Sequence, residues 1–146
     1  MSLRRLRAGE LLALAGAICV IVALRLPWYE SAGRNLSAWA TFGPAVALLM
    51  LSTAGALVLV VATVTERTTA LPVAAAVWGT LLGFFGVVAA IVRVLERPEH
   101  ASSLCAGAWL ALAGAVLILA GCWQAMRDER TELYPPANIQ ARPPPV

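Results

Sequence analysis

Four long stretches of the chain are nearly free of charge, and their spacing predicts the architecture. Between Gly9 and Leu26 the only charges are Glu10 and Arg25, one near each end. Thr41 to Thr65 carries none, Leu71 to Val92 none before Arg93, and Leu104 to Met126 none before Arg127. Crossing a hydrocarbon layer of ~30 Å takes about 20 helical residues at a rise of ~1.5 Å each. The runs therefore predict four transmembrane helices, over residues 9–26, 41–65, 71–93 and 104–126. The expected fold is all-α: a polytopic membrane protein in which residues 1–132 form a four-helix transmembrane bundle, followed by a disordered Pro-rich cytoplasmic tail over 133–146.

Composition agrees with that class. Of the 146 residues 60% are hydrophobic and 13% charged, and the mean hydropathy is +0.79; a soluble domain carries about 25% charge. All 11 basic residues are arginine, which fits a GC-rich bacterial genome. The net charge of +3 is no nucleic-acid signal, because the arginines stand at the ends of apolar runs rather than in one basic stripe. The first run is expected to stay as an anchor: it ends in Leu24-Arg25-Leu26-Pro27 with no small-x-small cleavage site. Ile18 before Cys19 argues against a lipoprotein site.

Arginine placement sets the expected orientation. With the N-terminus inside, Arg4, Arg5, Arg7, Arg67, Arg127 and Arg130 are cytoplasmic, and Arg25, Arg34, Arg93 and Arg97 are outside. The three that precede the first helix weigh most. The expectation is a multi-pass protein of the cell's inner (plasma) membrane with both termini cytoplasmic.

On that orientation the connector LPWYESAGRNLSAWATFG, residues 26–43, lies outside. Pro27 ends the first helix and forces Leu26 out of helical geometry. Trp28 and Tyr29 then fall at the depth where aromatic rings favour the membrane–water interface. Ser37 reads as the N-cap of the second helix, which places Trp39 and Phe42 in its first turn. Trp109 and Trp123 mark opposite ends of the fourth helix. An aromatic belt with caps accounts for most of this pattern. The sharper reading is a recognition surface formed by Arg25, Trp28, Tyr29, Arg34, Trp39, Arg93 and Arg97, with Arg25 and Arg93 snorkelling beside Glu30 and Glu96 into a polar lid.

No Asp, Glu, Arg or His lies in the middle third of any run, so the groups that proton relays and ion pathways need are missing there. The size is similar to that of small multidrug-resistance transporters, but those carry an acidic residue within the first helix, whereas Glu10 stands at its start. What the runs do carry is small residues at helical spacing: Gly79, Gly83 and Gly86, with Ala90, on the third, and Gly107, Gly114 and Gly121, with Ala111, on the fourth. Such stripes let helices approach closely in lipid, and the expectation is that they pack within the chain, across the connection of residues 94–103.

Little else carries chemistry. Cys105 and Cys122 lie about 25 Å apart along one helix at ~1.5 Å per residue, Cys19 is mid-span, and there is no C-x-x-C; all three read as small buried hydrophobes. His100, the single histidine, stands in a loop with Glu96, Arg97 and Glu99. Nothing pairs a nucleophile or base with an orienting partner, so no enzyme, metal or cofactor is expected. Pro135-Pro136 and Pro143 to Pro145 favour extended conformation in the tail. Ser37-Ala38-Trp39 and Gly107-Ala108-Trp109 form a weak internal echo.

The order LPWY at 26–29, SAWATFG at 37–43, LPVA at 71–74, GAWLALAGA at 107–115 and RDER at 127–130 resembles a group of small, uncharacterised four-helix membrane proteins of actinobacteria. The resemblance implies the topology and no activity, and the chain departs from the pattern at Gly43-Pro44. The functional expectation is a non-enzymatic membrane accessory or scaffold protein, with membrane lipids, other membrane proteins or further copies of itself as partners and no nucleic acid. The alternative is a lipid- or small-molecule-binding or transport-related protein with a site at the outer end of the bundle, near Arg25, Arg93 and Arg97.

Overall fold

A computed structural model of the chain describes residues 6–31, 34–39, 43–65, 70–96 and 103–131. Arg97, His100, Phe42 and the tail over 133–146 lie outside the described residues. Four helices dominate: α1 (Ala8–Arg25), α2 (Pro44–Thr65), α3 (Ala70–Leu95) and α4 (Ala106–Thr131). Each is long and apolar enough to cross a membrane, and the chain is a four-helix polytopic membrane bundle.

Helix ends fall where local chemistry places them. The Arg7 N–H donates to the Glu10 carboxylate at 2.9 Å, which satisfies one of the amides that a helix start leaves open. α1 stops because Pro27 disfavours helical geometry in the residue before it; Leu26 is extended, with φ −82° and ψ 158°. α2 opens on Pro44, since proline has no N–H to lose at a first helical position, and the Gly43 carbonyl accepts from the Val46 and Ala47 amides at 3.0 and 3.2 Å. This corrects the expected start near residue 41: Ser37 is not an N-cap, and Trp39 lies in a turn ahead of the helix. Pro72 sits in the first turn of α3, where it breaks no intrahelical bond.

The helices run up and down in turn. Around the bundle α1 adjoins α4, α4 adjoins α3, and α3 adjoins α2; the contact between α2 and α1 is the least extensive of the four. The core consists mainly of small residues, among them Ala13, Ala17, Val20, Ala56, Ala76, Ala111 and Ala115. Hydroxyls inside it turn to their own helices. Ser52 and Thr53 both donate to the Leu49 carbonyl at 2.8 Å, and Thr80 to that of Ala76 at 2.8 Å, so none is left unsatisfied at a depth without water. Large apolar side chains point outward instead: Trp78 is 66% exposed and Phe84 54%. That inverts the soluble pattern and suits a hydrocarbon surround.

At the end of the bundle where α1 and α3 finish, the connector forms a small sheet that periodicity did not predict. β1 (Pro27–Ser31) lies between β2 (Arg34–Ser37) and β3 (Ser103–Leu104), antiparallel to both. We call this the cap end.

Candidate functional site: the sheet cap

The cap is built on two consecutive aromatic residues. Trp28 is 1% exposed and Tyr29 fully buried, although neighbours on a strand ordinarily point to opposite faces. A β-bulge explains this. Pro27 pairs with Ser37 and Tyr29 with Leu36, so Trp28 is the extra residue, and a bulge re-aims a side chain locally.

Each ring then finds a helix end. The Trp28 indole Nε1 donates to the Ala23 carbonyl at 2.8 Å, in the last turn of α1. The Tyr29 hydroxyl donates to the Arg93 carbonyl at 2.7 Å, in the last turn of α3. The Ala23 carbonyl, whose i+4 residue Pro27 has no N–H, also accepts from the Leu26 amide at 3.2 Å, so one strand adds side-chain bonds at the ends of two helices. The rings stand 6.5 Å apart and tilted by 60°, within the centroid range of interacting aromatic pairs. The third helix joins through the backbone: the Cys105 amide donates to the Trp28 carbonyl at 2.9 Å. Gly107 makes this approach possible, since a Cβ there would stand 2.6 Å from the Pro27 carbonyl oxygen and from Trp28 Cδ1. Ser103 Oγ adds a bond to the Glu30 carboxylate at 3.2 Å.

The aromatic-belt expectation therefore fails for Trp28 and Tyr29, whose polar atoms bond helix carbonyls rather than face water. The belt pattern suits Trp39, Trp109 and Trp123, which are 48%, 55% and 50% exposed. Burial pushes the Tyr29 phenol above its ordinary pKa, against the opposing pull of the Arg93 guanidinium nearby. The expected recognition set thus divides. Trp28, Tyr29 and Arg93 form the cap's frame, while Arg25, Arg34 and Trp39 are exposed around it. Arg25 ends α1 at the base of the hairpin, and Arg34 is at its tip, paired with Ser31.

The glycine stripes have distinct neighbours, all within the chain. Cβ atoms at Gly79 and Gly83 would stand 2.8 Å from Cys122 Sγ and 3.1 Å from Leu119 Cα, both on α4, and one at Gly86 would stand 2.7 Å from Ser52 Oγ on α2. The two stripes do not interlock, as adjacency in the chain suggested. Gly114 and Gly121 turn to α1, where Gly16 and Gly9 lie seven residues apart, the same interval as on α4. A Cβ at Gly16 would stand 2.6 Å from the Gly114 carbonyl oxygen, and one at Gly9 2.6 Å from the Ala125 amide. α4 lies between α1 and α3, so one face of it serves each. Gly9 and Gly16 give no signal of their own in the first run, because their partners lie on α4, far along the chain.

Away from the cap, at the end where α2 finishes, Leu57, Val58, Val61, Ala62, Thr65 and Leu71 line an open apolar groove of about 340 Å³. Among the described residues no three His, Cys, Asp or Glu side chains gather as a metal site would need, and the three cysteines form no disulfide. Fold and site together define a small polytopic membrane bundle closed at one end by an antiparallel sheet. No family model, curated protein or solved structure matches the chain.

Proposed function

We propose that the protein is a non-enzymatic accessory or scaffold component of a bacterial inner membrane, with both termini cytoplasmic and the sheet cap outside. The carrying observation is the division among the connector's large side chains. Two are buried as structural pegs, whereas Trp39 is 48% exposed and Arg34 is exposed on a strand beside it. An amphipathic ring in the turn that follows β2 and a cation at the first residue of that strand suit contact with another protein's surface, where Trp and Arg carry much of the binding energy. The arginine cluster ahead of α1 supports the orientation, and the resemblance to small actinobacterial four-helix proteins agrees with the topology.

A lipid- or small-molecule-binding role is the second reading. The apolar groove beside Val58 and Val61 favours it, and it moves the expected site from the cap to the opposite end.

Because Trp28 is part of the frame, the discriminating variant is Trp39→Ala with Arg34→Ala. Purification in mild detergent, with mass spectrometry of everything retained, is the measurement. Wild type is expected to carry a protein that the folded double variant loses. Selective loss of a lipid would favour the second reading. Identical retention by both would reject the cap as a recognition surface.

A further inference from the structure

We infer that the free edge of β2 pairs with the same edge of a second copy of this chain, joining two caps into one continuous sheet. The inference stands apart from any role of Trp39 and begins with backbone accounting. In an antiparallel ladder, N–H and C=O groups of successive residues point alternately to the two sides. The Trp28 carbonyl faces α4 and Glu30 pairs with Ser103 of β3, so Tyr29 and Ser31 face β2. Their partners Leu36 and Arg34 face inward in return. Asn35 and Ser37 therefore turn their N–H and C=O groups to the outer edge. Among the described residues no strand pairs with that edge: the sheet order is β2-β1-β3, and β2 packs mainly on β1, with Leu36 also against the core. Of the devices that commonly blunt an edge, β2 has a short length of four residues and the charge of Arg34, but no proline and no bulge; the bulge lies on β1.

The membrane selects the occupant. β1 reaches the ends of α1, α3 and α4 at once, and its buried aromatics point into the bundle. The sheet thus lies across the bundle end, with its plane roughly along the membrane surface. Two copies inserted the same way can be related only by a two-fold axis along the membrane normal. The local two-folds of an antiparallel pair run perpendicular to the sheet, which here is that same direction. A closed isologous contact follows. The register that uses both outward residues places Asn35 opposite the partner copy's Ser37 and Leu36 opposite its own counterpart. It makes four backbone hydrogen bonds, brings two half-buried leucines together and opposes no like charges, since Arg34 then meets Ala38.

The contact is small beside the ~1,200 Å² or more of stable interfaces, so it is expected in membranes rather than in dilute detergent. The test uses a chain with Cys19, Cys105 and Cys122 replaced by alanine, reconstituted in phosphatidylethanolamine–phosphatidylglycerol vesicles and oxidised with copper phenanthroline. Leu36→Cys is expected to cross-link to itself, because opposed non-hydrogen-bonded residues have Cα atoms about 4.5 Å apart, within the ~4.4–6.8 Å range of disulfides. Arg34→Cys should cross-link poorly, since the two copies of that position stand about 13 Å apart at ~3.3 Å per residue. Adding Ser37→Pro removes an outward N–H that the hairpin does not use and should cut the Leu36→Cys yield at least about fivefold. Asn35→Pro provides the same block should the first proline disturb folding, which near-ultraviolet circular dichroism reports. Equal cross-linking at 34 and 36, no cross-linking at 36, or a yield indifferent to both prolines would overturn the inference.

Discussion

The phenol of Tyr29 donates to the main-chain carbonyl of Arg93, 2.7 Å away and 64 residues further along the chain. This bond ties the connector between the first two helices to the end of the third. It follows that Tyr29→Phe removes this part-buried bond, at a cost of about 1 kcal/mol. Trp28→Ala removes a donor and a packed ring together, at about 3–5 kcal/mol. Equilibrium unfolding in mixed micelles should rank the two in that order; equal losses would mean that Trp28 is not seated in the core.

The same phenol gives a pH dependence. Its pKa is raised on folding, chiefly by burial, so the folded state holds the proton where the unfolded chain has begun to release it. The resulting stability is fully present below the ordinary tyrosine pKa of about 10 and is lost as pH rises through the higher folded pKa. In a Tyr134→Phe background, phenolate absorbance of the folded protein should appear at higher pH than that of free tyrosine. Titration at or below the free value would refute the burial.

Helix contacts predict a ranking among glycines. A Cβ at Gly16 would meet backbone atoms of α4 at 2.6 and 2.7 Å, whereas one at Gly55 meets the Leu82 Cδ1 tip at 3.1 Å. Gly16→Ala should therefore cost about 1–3 kcal/mol through overpacking. Gly55→Ala should stay near wild type, because the roughly 1 kcal/mol of helix propensity that alanine gains offsets a small shift of a flexible side chain. Gly83→Leu is expected to be severe, as Leu119 Cα would stand 3.1 Å from even the first added carbon. Thermal unfolding that reversed the first two would indicate a different α1–α4 crossing.

Orientation is testable by labelling. A cysteine at Ser31, beside the cap's hairpin, should react with an impermeant thiol reagent in intact cells, whereas one at Thr68 should react only after lysis. The reverse pattern would place the cap in the cytoplasm.

The helices were legible because lipid imposes one strong rule, a long uncharged run, and Thr41–Thr65 or Leu71–Val92 meets it without competition from other patterns. The cap was not. Its strands are five, four and two residues long, and PWYES and RNLS show no apolar alternation. A bulge, which leaves no trace in a period of two, turns Trp28 and Tyr29 inward together. Two amphipathic rings beside a helix end carry the pattern of belt residues, and one of their acceptors, the Arg93 carbonyl, lies 64 residues away in the chain. Gly9 and Gly16 were visible but lacked a partner until α4 was placed against α1.

That last pairing constrains biogenesis. The first helix to enter the membrane has its closest partner in the last, with Gly9 and Gly16 fitted to Gly121 and Gly114, while the next helix in the chain, α2, touches it much less than α4 does. During synthesis α1 must wait in the bilayer, glycine face uncovered, until more than a hundred further residues have emerged, and the cap cannot close before α4 delivers Gly107. Chains interrupted between α3 and α4 should accordingly be recognised as unfinished and degraded, a difference that pulse-chase lifetimes of truncated and full-length protein would reveal. Completion, rather than any single span, commits this fold.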